Sequence, residues 1–232
     1  MKIEVCINRL EDVQSLQGLF VDRIELCIEL GCGGLTPSLA MVEEALALSQ
    51  IPIHVLVRPR SGDFVYTKHT LRAMTTTCRQ LETLGVAGIV TGVLKRDAQL
   101  PIEVLSTFRK TIQNCALYFH RAFDEVTDPE SALLQLKHVG FDGVLTSGQQ
   151  QMAIEGMDRL LAWKHLVGDT LVILPGSGIN ANNCLKFREA GFDWIHLSAK
   201  KLIHPEVDSK FSSPQYGLNI EELQQVLSLL KK

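Results

Sequence analysis

Short β-branched runs alternate with helix-patterned stretches along the whole chain, and this alternation limits the fold more than any other feature. The runs are 2–7 (KIEVCI), 23–28 (RIELCI), 51–58 (IPIHVLVR), 88–93 (GIVTGV), 116–123 (ALYFHRAF), 143–147 (GVLTS), 171–175 (LVILP) and 194–198 (WIHLS). Helical patterns fall near 9–18, 38–49, 68–84, 101–113, 129–139, 152–166, 181–190 and 220–231. Strands separated by helices must pair in parallel through crossovers. Eight such units in 232 residues predict a single (β/α)₈ TIM barrel spanning 1–232, with an irregular segment at 201–219 before the last helix. An open doubly wound sheet is the rival, but eight successive units favour closure.

Local punctuation agrees. Thr36-Pro37 and Asp128-Pro129 each offer a capping side chain before a proline at a first helical position. Three helix-to-strand joints, L-G-V-A-G-I-V (84–90), V-G-F-D-G-V-L (139–145) and A-G-F-D-W-I-H (190–196), repeat a glycine stop followed by an apolar cover.

Strand alternation then assigns faces. Ile3, Val5 and Ile7 share one side of the first strand and leave Glu4 and Cys6 on the other; Ile24, Leu26 and Ile28 leave Glu25 and Cys27. In the third strand Ile53, Val55 and Val57 oppose His54, Leu56 and Arg58. The apolar sets must meet the helices, so the polar sets point into the barrel. Tyr118, His120 and, beyond the strand end, Asp124 join them, as do His196, Ser198, Thr91 and Thr146. Buried carboxylates need partners, and Arg58 and His120 are the expected cations for Glu4 and Glu25. Arg121 is expected to pair with a loop acid, Asp63 or Asp124. His54, at mid-strand, reads as a satisfied core histidine; His69, His138, His165 and His204 read as surface residues.

A barrel interior this polar marks a site at the C-terminal strand ends. Glu4, Glu25, Arg58, His120 and Asp124 form a candidate catalytic constellation, since carboxylates beside a histidine in a dry pocket suit acid–base work. A purely structural ion-pair network is the plainer alternative. After strand seven, Gly176, Ser177 and Gly178 form a glycine turn at an expected helix start, with Ser198 near by after strand eight, where barrels commonly hold phosphate.

Composition closes off other classes. Lysine plus arginine number 23 against 26 acids, for a net charge of −3, which argues against a nucleic-acid surface. No run of about 18 apolar residues exists to span a membrane. The six cysteines match no zinc-finger or C-x-x-C spacing and read as reduced thiols of a cytoplasmic protein.

Seven segments in order carry a family likeness: E-V-C (4–6), R-I-E-L-C (23–27), G-G-L-T-P-S (33–38), R-P-R-S-G-D-F-V-Y (58–66), F-H-R-A-F-D (119–124), V-L-T-S-G (144–148) and P-G-S-G-I (175–179). Jointly they resemble the CutC family, proteins named for copper homeostasis. Ser61 stands where that pattern expects a second glycine, and 201–219 does not match. The resemblance implies a cytoplasmic TIM barrel, a homodimer or larger, that handles copper, with Cu(I) ligands on Cys6 and Cys27 and no such role for Cys32. Those two thiols sit at equivalent places on adjacent strands, and soft thiolates suit Cu(I); buried cysteines also serve as plain core residues. Two functions stay open. One is copper binding. The other is an enzyme for a small anionic or phosphorylated metabolite, in which Arg58 and the P-G-S-G turn hold the anion while His120 and a glutamate move protons.

Overall fold

The computed structural model describes residues 1–204 and 215–231. Its elements run β1 (Lys2–Ile7), α1 (Leu10–Leu16), β2 (Arg23–Leu26), α2 (Leu39–Leu48), β3 (Ile53–Val57), α3 (Lys68–Leu84), β4 (Gly88–Thr91), α4 (Ile102–Thr111) and β5 (Ala116–Phe119). They continue with α5 (Pro129–Val139), β6 (Gly143–Thr146), α6 (Met157–Val167), β7 (Val172–Pro175), α7 (Cys184–Glu189), β8 (Trp194–Leu197), β9 (Lys200–His204), β10 (Gln215–Leu218) and α8 (Ile220–Leu230).

The first eight strands form one sheet in the order β7-β6-β5-β4-β3-β2-β1-β8. All its ladders are parallel. A bridge between Gly176 and His196 joins β7 to β8 and closes the circle, giving the (β/α)₈ barrel. No described helix is long and apolar enough to cross a membrane.

Alternation along the strands divides the core in two. Ile3, Val5, Ile24, Leu26, Ile53, Val55, Ile89, Leu117 and Val144 pack outward against the helices. Cys6, Cys27, Leu56, Val90, Tyr118, Leu145 and Leu174 make a separate cluster inside the barrel. Since Val90 and Leu145 face inward, their neighbours Thr91 and Thr146 do not, contrary to the expectation for both. Thr91 instead donates to the Val57 carbonyl at 3.0 Å and Thr146 to Asp124 at 2.5 Å. Phase along β4 and β6 is set by the glycines that open them. A Cβ on Gly88 would collide with the His54 ring, and one on Gly143 with Tyr118, so these inward positions stay empty to admit a neighbour's ring.

The three repeated joints hold: Gly85, Gly140 and Gly191 all have positive φ. Asp128 caps α5, accepting from Ser131 N at 3.1 Å, with Pro129 at its first turn. The expected Thr36 cap is not formed. Ser38 caps α2, and Thr36 Oγ1 accepts from Arg58 N at 2.8 Å, tying the loop after β2 to the end of β3. Within 201–219, read as irregular, β9 and β10 pair as an antiparallel hairpin; residues 205–214 lie outside the described residues. Tyr216 of β10 lies 3.4 Å from the space above Gly31, which sets the hairpin over the loop after β2.

Candidate functional site

Three adjacent strands, β8, β1 and β2, build the polar centre. Register puts Glu4 beside Arg23 and His196, and Cys6 beside Glu25. Arg23 Nε donates to Glu4 Oε2 at 2.5 Å, and His196 Nδ1 lies 2.7 Å from Glu4 Oε1. The partners of Glu4 are therefore Arg23 and His196, not Arg58 and His120. Arg23 also stacks over Tyr118 at 4.4 Å and Trp194 at 4.2 Å, so its flat charge is packed between rings. It holds the lower interior of the barrel together and stands away from the mouth.

Above this layer, one ligand atom each from Cys6, Glu25 and His196 lies within 4.8 Å of the others. His196 Nε2 is 3.8 Å from Glu25 Oε2. The Cys6 and Cys27 sulfurs approach to 3.6 Å, well beyond the ~2.05 Å of a disulfide, and both are free thiols.

The electrostatics follow from burial against neighbours. Burial alone would raise the Glu4 pKa, yet Arg23 and the His196 hydrogen bond outweigh it and hold it at about 2. Glu25 shifts the other way: burial dominates and raises it, opposed by His196. Burial disfavours a charged His196, but Glu25, Cys6 and Glu4 together raise its pKa well above the ordinary value. The Cys6 thiol is pushed well above its usual range by its contact with Cys27 and by burial. At neutral pH the cluster is an imidazolium between acids, beside a protonated thiol.

These residues floor a cavity of about 710 Å³ at the C-terminal ends of the strands, walled by Arg58, Phe64 and His120. His120 follows β5 directly, and its Nδ1 accepts from Ala122 N at 3.1 Å. Burial, with the Arg58 charge near by, lowers its pKa to about 3, so it is neutral and its proton sits on Nε2. His54 is buried too, with its pKa lowered to about 3 by burial and by Arg23. Its Nδ1 lies 4.0 Å from Glu4 Oε2 but has no hydrogen-bond partner among the described residues, so it is less satisfied than the sequence suggests.

Asp124 lies on the cavity wall, but its carboxylate anchors the loop after β6. It accepts from Thr146 Oγ1, Ser147 N at 3.0 Å, Gln149 N at 3.1 Å and Arg121 Nε at 2.8 Å. Asp63 pairs with Arg60 instead, at 2.6 Å. Ser177, Gly178 and Ser198 line the cavity, while Gly176 sits where a Cβ would press on Leu145 and His196. The helix start expected at this turn is displaced: α7 begins only at Cys184 and is 6 residues long, so no helix dipole points at Gly176–Gly178. His69, His138 and His165 are exposed as expected, and the His204 side chain lies outside the described residues.

Sequence reasoning kept His196 out of the constellation it centres, although its inward phase was legible. Arg23 was missed because it opens its strand, yet it shares the phase of Glu25 and Cys27.

Fold and mouth together define a TIM-barrel protein with an acid, thiol and imidazole site at the C-terminal face of the strands. The chain belongs to the CutC family, whose model matches residues 1–201. It is 38% identical over 201 residues to a family protein CutC of Pasteurella multocida, covering 86% of this chain and 82% of that protein. Identity is 34% to one of Glaesserella parasuis, covering 100% and 98%. A solved structure described as a candidate copper homeostasis protein CutC from Streptococcus agalactiae superposes with a TM-score of 0.80 at 29% identity, covering 84% of this chain and 97% of that one. The likeness to an aldolase structure, at 11% identity and a TM-score of 0.66, shows the shared barrel.

Proposed function

We propose that the protein binds a soft metal ion, copper(I), at the floor of the barrel mouth. The observation that carries this reading is the 3.6 Å approach of the Cys6 and Cys27 sulfurs, with Glu25 and His196 donors around Cys6. The donor set fits: thiolate and imidazole are ligands that copper and zinc accept, and two thiolates favour Cu(I). Glu25 Oε1 is buried with no partner among the described residues, which also suits a cation near by. Cys6 and Cys27 would hold the ion, with His196 and Glu25 flanking it. The description of the Streptococcus agalactiae relative as a candidate copper homeostasis protein supports copper rather than zinc. Six free thiols favour a reducing, cytoplasmic setting. The homodimer or larger assembly implied by the family likeness belongs to the same reading.

Binding requires loss of the Cys6 thiol proton, so copper uptake should release protons and tighten as pH rises. The test is anaerobic Cu(I) titration against a chromophoric chelator. Wild-type protein should hold one tight equivalent, and Cys6→Ser, Cys27→Ser should lose it. The same stoichiometry in that double variant ends the proposal, as does a Zn(II) preference in direct competition.

A further inference from the structure

A second feature of the mouth is unrelated to the thiols. Arg58 is buried at 7% exposure, yet among the described residues no carboxylate lies within ion-pair distance of it. Arg23, the other buried arginine of the interior, has Glu4. A charge kept from water without a counter-ion is costly, and proteins tolerate it where a ligand supplies the opposite charge.

The guanidinium is held rigidly. Nη1 donates to the carbonyls of Cys32 at 2.8 Å and Gly34 at 3.1 Å, and Nη2 donates to Gly62 at 3.0 Å. Nε is buried without a partner, and so is Nε2 of His120. The Nδ1 acceptor contact with Ala122 puts the His120 proton on that unpaired Nε2. Phe64 joins the two groups, with its ring 4.9 Å from the His120 ring and 5.1 Å from Arg58 Cζ. Gly92 leaves space for this imidazole, since a Cβ there would overlap its ring.

We propose that Arg58 and His120 form a binding site for the carboxylate of a small organic monoanion, its carbon skeleton lying along Phe64 and its far end reaching toward Glu25. Arg58 Nε–H and His120 Nε2–H, with the second Nη2–H of Arg58 beside them and one positive charge, match one carboxylate, which has two acceptor oxygens and one negative charge. A phosphate dianion brings twice the charge and needs more donors than the corner offers. In the metal-free protein the unpaired Glu25 Oε1, from a residue lining the same cavity, is left to accept from a ligand hydroxyl. The cavity, at about 710 Å³, holds a metabolite and far exceeds what an ion alone requires. The P-G-S-G turn lines the same cavity through Ser177 and Gly178 but supplies none of the donors named for this site.

The test uses metal-free, full-length protein with acetate, lactate and inorganic phosphate as probes, by calorimetry and thermal shift at constant ionic strength. Lactate and acetate should both bind, and phosphate should do no better than chloride. Arg58→Gln should abolish carboxylate binding. Because Arg58 also ties down three loop carbonyls, His120→Asn is the second variant. It keeps an acceptor for Ala122 N–H, deletes the Nε2 donor, and should weaken binding about tenfold. Cys6→Ser, Cys27→Ser should bind the carboxylates as wild type does, so failure of the copper reading would leave this result standing. Phosphate binding as tightly as lactate, equal affinity in His120→Asn, or no carboxylate binding up to about 50 mM would each overturn the site.

Discussion

Glu4→Gln is the sharpest probe of how the interior is held together. The carboxylate is 1% exposed and takes hydrogen bonds from Arg23 and His196 at 2.5 and 2.7 Å. Its pKa falls from 4.5 to about 2, and the difference of about 2.5 units at 1.36 kcal/mol each makes the ionised form worth about 3 kcal/mol at pH 7. That agrees with the roughly 3–5 kcal/mol lost when one member of a buried ion pair is removed and its partner is stranded. In urea unfolding, with a slope near 3 kcal/mol/M for a chain this long, the midpoint should drop by about 1 M. The folded pKa is depressed, so this stability is fully present above about pH 4.5 and lost as pH falls through about 2. The cost of the variant should therefore be the same at pH 6 and pH 7. His196 behaves oppositely: its folded pKa is raised, so its contribution is full below about 6.5 and disappears as pH rises through the folded value. Having lost the neighbouring negative charge, it should release its proton earlier in Glu4→Gln, and the alkaline loss of stability should begin sooner. Adding Arg23→Met should recover part of the loss, because the stranded cation is removed as well. A single-variant cost below about 1 kcal/mol, or a double variant that loses the sum of the two singles, would refute the reasoning.

Two further outcomes follow from the same interior. His54 and His120 each have a folded pKa of about 3 against an ordinary 6.5, so stability is full above about pH 6.5 and falls on acidification toward 3. Each contributes about 1.4 kcal/mol per pH unit across that range; His54→Leu should remove one share of the slope between pH 6.5 and 5 in urea unfolding, and an unchanged slope would contradict it. Asp124→Asn weakens the anchor of the loop after β6, which should cost about 2 kcal/mol and speed proteolysis near 148–156; protease resistance equal to wild type would show that Thr146 and Ser147 hold the loop alone.

The barrel was legible because alternation and helix punctuation are local. Each strand is a separate β-branched run between helical patterns, and three of the joints carry a glycine stop, so several independent readings converge on one topology. Inter-strand register is a different quantity. Nothing in K-I-E-V-C-I states that Glu4 lies opposite Arg23 and His196, and without that the sequence offers every inward cation as an equal partner. Charge alone points to Arg58 and His120 for Glu4 and Glu25, whereas the ladders set Arg23 and His196 beside Glu4, and His196 also reaches Glu25 at 3.8 Å. Asp128 caps its helix as expected, but the Thr36 cap failed for a related reason: Thr36 precedes a proline as a cap would, yet its hydroxyl meets Arg58 N at the end of the neighbouring strand. The phases of β4 and β6 went wrong where Gly88 and Gly143, which carry no side chain to mark a face, fill inward positions.

The misassigned partners bear on function. Had Arg58 neutralised Glu4, the polar interior would be a closed ion-pair network with no free charge. With Arg23 in that place, Glu4 is satisfied from below, and Arg58 is left buried and positive at the mouth beside a neutral His120. The lower layer is thus the structural network that sequence reasoning weighed as the plainer alternative. The lower layer keeps two unpaired atoms of its own, Arg23 Nη2 and His54 Nδ1, but neither residue lines the cavity. The upper layer has unmatched groups that do, with donors on Arg58 and His120 and an acceptor on Glu25. A strand does not retain such groups for packing, since an apolar side chain of similar size would fill the space at less cost. The two layers therefore differ in purpose, and the division falls between Glu4 and Cys6 of a single strand.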